Sequence, residues 1–159
     1  MIRNNLFKNH RPILFTQEGF QKILNQKEEL EKKRVEVLER LVRAREMGDL
    51  SENSAYHGAK LEMGSIDRQL RQIKIFLLFG KIISNINNSQ VGIGSAVLVN
   101  DGTKNTELKI VGDYESDPIN KKISANSPIG SALMGKKVNQ ECDVTLPDKK
   151  IKLKIVEIK

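Results

Sequence analysis

Between Tyr56 and Leu77 the residues Tyr56, Ala59, Met63, Ile66, Leu70, Ile73 and Leu77 follow one another in alternating steps of three and four. That spacing places them on one narrow stripe of an α-helix and is the a/d repeat of a coiled coil. Such a helix has to bury its stripe against a partner, and the upstream sequence supplies one. Ile23, Leu30, Val37 and Ala44 recur every seven residues, with Phe20 and Leu41 on the same stripe. From Gln17 to Met47 there is no proline, and Gly19 is the one glycine. Lys27 and Arg34 interrupt the first stripe, while Gly58 and Gly64 weaken the second helix. Thr16 is a suitable N-cap for a helix starting at Gln17, and Glu18 suits the positive end of its dipole.

The two patterns are joined only by the residues from Gly48 to Asn53, and so short a connection forces the helices antiparallel. The expectation is a thin hairpin over residues 16–80, roughly 40 to 45 Å long at about 1.5 Å per residue, with its tip at 48–53. After Gly80 the helical period stops. Asn85, Asn87, Asn88 and Ser89 mark a linker over 81–90. Residues 91–159 then read as a small antiparallel sheet domain. Its strand-like runs are 96–99, 107–111, 121–125, 142–146 and 151–158, with Asp101-Gly102 and Pro147-Asp148 as turns. One short helix interrupts them, with Ser127 as cap, Pro128 as first residue and Gly135 as stop. The fold class is therefore α+β.

Composition narrows the partners. Aromatic residues are only 4% of the chain and Trp is absent, so no large aromatic core is available. The net charge of +7 suits an acidic partner such as nucleic acid, or serves solubility alone. All eight arginines precede residue 72, and the later half is basic through lysine. A lone cysteine, Cys142, cannot form an internal disulfide, which fits a reducing, cytoplasmic setting; it reads as a small buried hydrophobe. No apolar run reaches the ~20 residues of a membrane span. Residues 1–15 are basic and acid-free, with Ile13-Leu14-Phe15 as their longest apolar run, and are expected to be a flexible N-terminal extension.

Asp49 and Glu52 stand three residues apart at the tip. One reading is metal chemistry: Mg²⁺ often takes one or two protein carboxylates and leaves its other positions to water or phosphate. Such a pair completes a metal site and does not build one alone, which suits two-metal phosphoryl chemistry. The other reading is a capping box, with Asp49 as N-cap and Glu52 reaching back to its amide, Gly48 ending the preceding helix, and Ser51 and Asn53 as turn residues. Spacing alone leaves both open.

The surrounding sequence adds a resemblance. Ala44-Arg45-Glu46-Met47-Gly48-Asp49-Leu50-Ser51-Glu52-Asn53-Ser54-Ala55-Tyr56-His57-Gly58-Ala59-Lys60 resembles the tip motif of the GreA/GreB family of bacterial transcription elongation factors, A-R-x-x-G-D-L-S-E-N-A-E-Y-H-A-A-K. Ser127-Pro128-Ile129-Gly130-Ser131-Ala132-Leu133-Met134-Gly135-Lys136 is similar to its S-P-I-x-x-A-L-x-G-K, and Ile110-Val111-Gly112 to its I-V-G. The resemblance runs in order from Thr16 to Lys159. It implies a coiled-coil hairpin that enters the secondary channel of RNA polymerase and an FKBP-like C-terminal domain that docks at the channel mouth. It implies that Asp49 and Glu52 support the second catalytic Mg²⁺, shared with the polymerase, during cleavage of backtracked RNA. The protein would then be an activator acting on the nascent RNA 3′ end, not itself an enzyme, with no tightly bound cofactor and as a monomer. Ala55, where the family has an acid, removes one negative charge, and Leu61 replaces a polar residue.

Other residues carry two readings each. Arg40, Arg43 and Arg45, with Arg68 and Arg71, suit contacts to RNA phosphates. Glu36–Arg40 and Glu39–Arg43 are equally i,i+4 pairs of an exposed helix. Tyr56 either contacts the partner or packs in the seam. His57 either ligates metal or is solvated. Tyr114 is the sole aromatic after Phe79, too few for a prolyl-isomerase pocket. Two other functions compete with cleavage activation. One is a regulator that occludes the polymerase channel without aiding chemistry, for which Ala55 leaves room. The other is a plain coiled-coil adaptor or nucleic-acid binder, which leaves the tip motif unexplained.

Overall fold

A computed structural model describes residues 12–48, 52–83, 89–147 and 150–159. The chain divides into two compact units: Gln21–Phe79, and Gly80–Lys159 together with the chain up to Phe20. In order, the elements are β1 (Ile13–Phe15), α1 (Gln17–Glu46), α2 (Ser54–Phe79), β2 (Gly80–Ile82), β3 (Ala96–Asn100), β4 (Asn105–Val111), β5 (Lys122–Ser124), α3 (Pro128–Leu133), β6 (Glu141–Thr145) and β7 (Lys150–Ile158). The class is α+β.

The helical unit is built on the alternating three–four stripes. Ile23, Val37 and Ala44 of α1 are buried, as are Ala59, Met63, Ile66 and Ile73 of α2. Val37, Met63 and Ile66 form a cluster flanked by Leu30 and Leu70. The polar interruptions of the stripe have their own partners. Arg34 Nε donates to Asp67 Oδ1 across the seam at 2.8 Å, and Lys27 pairs with Glu31 at 2.9 Å. Glu62 of α2 takes both Arg40 (2.7 Å) and Lys33 (3.1 Å) of α1. Arg34 meets Asp67 and the later Arg40 meets the earlier Glu62, as an antiparallel pair requires. At about 1.5 Å per residue, the 30 residues of α1 span about 45 Å.

In the sheet unit five strands lie in the order β5-β4-β3-β7-β6. β3 pairs antiparallel with β4 and β7, and β6 antiparallel with β7. The sequence leads one to expect a wholly antiparallel sheet, but β5 pairs parallel to β4, because two short 3₁₀ turns, Asp113–Glu115 and Pro118–Asn120, carry the chain back first. Burial alternates along β3 and β6, so Val97, Val99, Cys142 and Val144 face one core with Ile110, Leu133 and Ile155. Burial by those neighbours pushes the Cys142 thiol up from its ordinary value. α3 has its expected ends: Ser127 Oγ accepts from Gly130 N–H at 3.0 Å, and Gly135 lies at φ 73°.

A correction concerns the start of the chain. Residues 13–15 are not part of a loose extension: β1 pairs in parallel with β2, Ile13 opposite Gly80 and Phe15 opposite Ile82. Ile83 N–H then donates to the Phe15 carbonyl at 2.9 Å. β2 also takes residues 81 and 82 out of the expected linker. The physical reason is the apolar run Ile13-Leu14-Phe15, whose Phe15 is fully buried between the rings of Phe20 (6.0 Å, edge-on) and Tyr114 (6.5 Å, stacked). Phe20, read on the helical stripe, thus packs its ring in the sheet unit. Residues 1–11 lie outside the described residues.

The first turn of α1 is pinned from the sheet side. Thr16 Oγ1 accepts from Gly19 N–H at 3.0 Å, the expected cap, and donates to Glu115, whose carboxylate also accepts from Thr16 N–H at 2.7 Å. The approach at Gly112 needs glycine, since a Cβ there would stand 1.9 Å from the Leu14 carbonyl oxygen; a Cβ on Gly19 would stand 1.9 Å from a Glu115 carboxylate oxygen and push that side chain aside. Glu18 lies between Lys109 (2.6 Å) and Lys122 (3.0 Å), whose hydrogen bonds, Lys109 first, hold its carboxyl at about 2.

Two outcomes follow. Ile66→Ala should destabilise the protein by about 2 to 5 kcal/mol in denaturant unfolding, since Ile66 is buried in the seam, whereas Leu61→Ala, at a site 75% exposed, should stay within about 0.5 kcal/mol. Glu18 has a folded pKa of about 2 against an ordinary 4.5, so its contribution is present above 4.5 and lost as pH falls towards 2. Glu18→Gln should therefore flatten the acid limb of the stability–pH curve in that window. It should not abolish it, because Asp101, held by the Thr103 hydroxyl and the Lys104 and Thr103 amides, also lies at about 2.

Candidate functional site

The hairpin tip begins where α1 stops. Glu46 is the last helical residue, Gly48 N–H still reaches the Arg45 carbonyl (3.4 Å), and Gly48 then takes φ 74°, the left-handed conformation of a helix C-cap. Asp49, with Leu50 and Ser51, lies outside the described residues. The chain is described again from Glu52, which is exposed.

The capping-box reading puts Asp49, which lies outside the described residues, at the N-cap; at the described start of α2 another residue fills that position. Helix α2 starts at Ser54, and its cap is Asn53: Tyr56 N–H donates to Asn53 Oδ1 at 3.0 Å and His57 N–H to the Asn53 carbonyl at 3.1 Å. Glu52 therefore precedes the cap, and a residue before the cap is not at the third helical position from which a box carboxylate reaches back. Asn53 does more than cap. Its Nδ2 donates to the Ala44 carbonyl of α1 at 2.7 Å, so one side chain ties the end of the first helix to the start of the second. Reading Asn53 as an ordinary turn residue misses this. The usable signal is that Asn is among the best N-caps and stands just ahead of the first residue of the three–four stripe.

With capping assigned to Asn53, the Glu52 carboxylate has no cation partner among the described residues. As a hard oxygen donor open to solvent it fits a hard cation such as Mg²⁺ as one ligand of a shared site, which is how that ion is commonly held. Among the described residues no group of three or more His, Cys, Asp or Glu side chains is placed to hold a metal ion.

The remaining tip residues divide by their partners. Tyr56 is half-buried, its ring edge-on to His57 at 5.7 Å and under the Lys60 ammonium at 5.9 Å. His57 is exposed. The three arginines differ. Arg40 does not pair with Glu36: it crosses to Glu62, where its hydrogen bond, ahead of that of Lys33, lowers the carboxyl's pKa. Arg43 sits 3.8 Å from Glu39, as its spacing suggests, at the long end of an ion pair. Arg45 has no carboxylate partner among the described residues. The second motif is accounted for by the sheet unit: Ser127 caps α3, and a Cβ on Gly130 would stand 2.0 Å from the Ser124 carbonyl. Tyr114 stacks on Phe15. No described helix is long and apolar enough to cross a membrane.

Comparison with known proteins identifies the family. The family model described as "Transcription elongation factor, N-terminal" matches residues 13–77, and that described as "Transcription elongation factor, GreA/GreB, C-term" matches residues 86–159. The chain is similar to transcription elongation factor GreA of Caldanaerobacter subterraneus subsp. tengcongensis, 44% identical over 94% of this chain and 98% of the relative. It is similar also to that of Staphylococcus saprophyticus, 41% identical over 96% and 99%. Among solved structures, GreA factor homolog 1 of Thermus thermophilus aligns with 94% of this chain and 99% of its own, at 24% identity and a TM-score of 0.46. Two family models that together span both the helical stripes and the sheet, and relatives matched over nearly their whole length, lead to one conclusion: the chain belongs to the GreA/GreB family of transcription elongation factors.

Proposed function

We propose that the protein binds bacterial RNA polymerase through its secondary channel and stimulates cleavage of backtracked nascent RNA, so that elongation resumes from a new 3′ end. The observation that carries this reading is that α2 is capped by Asn53, so the exposed Glu52 carboxylate stands ahead of the helix with no cation partner among the described residues. The relatives' names, transcription elongation factor GreA, support the class of process.

In this reading the hairpin brings Asp49 and Glu52 to a reaction centre that belongs to the polymerase. The two carboxylates would help hold a second Mg²⁺ there, which when bound would supply charge stabilisation for a reacting oxygen at the phosphate. Glu52 offers an anionic oxygen ligand, and Asp49 is proposed to offer the other. Neither carboxylate cuts RNA alone, so the protein acts as an activator. Arg43 and Arg45, at the end of α1, are proposed to hold RNA or polymerase acids. Arg40 is the weaker candidate because Glu62 already engages it.

Glu52→Gln and Asp49→Asn should each lower stimulated cleavage in a defined backtracked complex by roughly tenfold or more, partly restored by high Mg²⁺, while binding holds. Full cleavage by both variants would reduce the tip to a structural turn. Equal loss of binding and cleavage would make the acids contacts rather than metal ligands. Binding without any cleavage by the unsubstituted chain would favour an occluding regulator, a role compatible with Ala55. The Arg43→Ala, Arg45→Ala double variant should weaken engagement while changing stability by only about 0.5 kcal/mol, read by competition binding and by unfolding.

A further inference from the structure

We infer that Asn53 is a positioning residue for Glu52, acting through two separable hydrogen bonds. The inference rests on the proposed function for its catalytic consequence and on geometry alone for its structural one. Asn53 Oδ1 accepts from Tyr56 N–H at 3.0 Å, which fixes where α2 starts. Asn53 Nδ2 donates to the Ala44 carbonyl at 2.7 Å, which fixes where α1 ends. Glu52 directly precedes Asn53, so the backbone that carries its carboxylate is held at the point where both bonds meet. The side chain is partly shielded, and Ala44, the residue it grips, is buried in the seam. The tie is therefore set against the hairpin's packed part rather than against a mobile surface.

The two bonds make different demands. Capping needs only an acceptor, which Asp, Ser and Thr also supply. Reaching Ala44 needs a donor at the far end of the side chain, which an ionised Asp lacks and a Ser hydroxyl is too short to provide. Asn meets both demands at once. Residues that hold catalytic ligands in place through hydrogen bonds commonly change metal affinity or activity by about 10- to 100-fold when altered. A carboxylate that has to meet a partner's metal is sensitive to such loosening.

The experiment compares Asn53→Asp and Asn53→Ser with the unsubstituted chain. Both retain an N-cap acceptor and both remove the donor to Ala44, and Ser adds no charge beside the acids. In the free protein, amide hydrogen exchange at residues 45–48 and 52–58 should quicken about five- to tenfold in both variants, with helix content held. In a backtracked elongation complex, the protein concentration for half-maximal binding should stay within about threefold. The maximal cleavage rate should fall about tenfold, and the Mg²⁺ concentration for half-maximal cleavage should rise. Unchanged exchange in Asn53→Ser would overturn the inference, whatever the activity. So would cleavage at the unsubstituted rate and Mg²⁺ requirement, or loss confined to Asn53→Asp, which would trace the effect to the added charge. Melting of the hairpin in both variants would assign Asn53 to folding only and overturn it as well. If the unsubstituted chain fails to accelerate cleavage, the functional reading falls and the exchange comparison alone decides the role of Asn53.

Discussion

The helical unit depends on one seam. A hairpin of two long helices has no third layer to share the burial, so Val37, Met63, Ile66 and their neighbours do for it what a whole core does for a globular domain. Single side chains of this kind contribute about 1.5 to 3 kcal/mol each when buried. Around the seam the charged residues have a different task. Arg34–Asp67 and the pair of cations on Glu62 are exposed, so they add little to stability, but they match only in one register of the antiparallel pair.

Register matters because the tip inherits it. Had α1 slid one turn along α2, Asn53 would no longer meet the Ala44 carbonyl. The tip separates its duties among residue types: Gly48 ends one helix, Asn53 starts the other and ties the two, and the Glu52 side chain has no ion pair among the described residues. A carboxylate free of local obligations is available to an outside partner, which a capping carboxylate is not.

Much of this was legible in the sequence, and the parts that were share a property: their signal is local. The three–four stripes, the Thr16 and Ser127 caps and the period-two strands all lie within a few residues of what they specify. The parts that were not legible depend on distant residues. Nothing near Thr16 announces that Glu115, 99 positions away, will accept from its amide and hydroxyl. Three apolar residues at 13–15 are too short to declare a strand without Gly80–Ile82 beside them. Parallel pairing of β4 and β5 depends on the 3₁₀ turns between them, and the choice of Glu62 over Glu36 by Arg40 depends on the opposite helix. At the tip, the resemblance directed attention to the two acids. The bond from Asn53 to the Ala44 carbonyl has no local signal, because it depends on how one helix packs against the other.

The pairing of β1 with β2 has a topological consequence. The chain enters α1 from one strand and leaves α2 into its neighbour, so both ends of the hairpin are clamped together at the root. In an isolated helical hairpin, opening can start from the free ends. Here that route is closed, since separating the helices at the root would first require peeling apart β1 and β2 and withdrawing Phe15 from its buried site. Thermal unzipping is therefore one-sided. It starts at the end away from the root, where the bond from Asn53 to the Ala44 carbonyl is the first tie between the two helices to give.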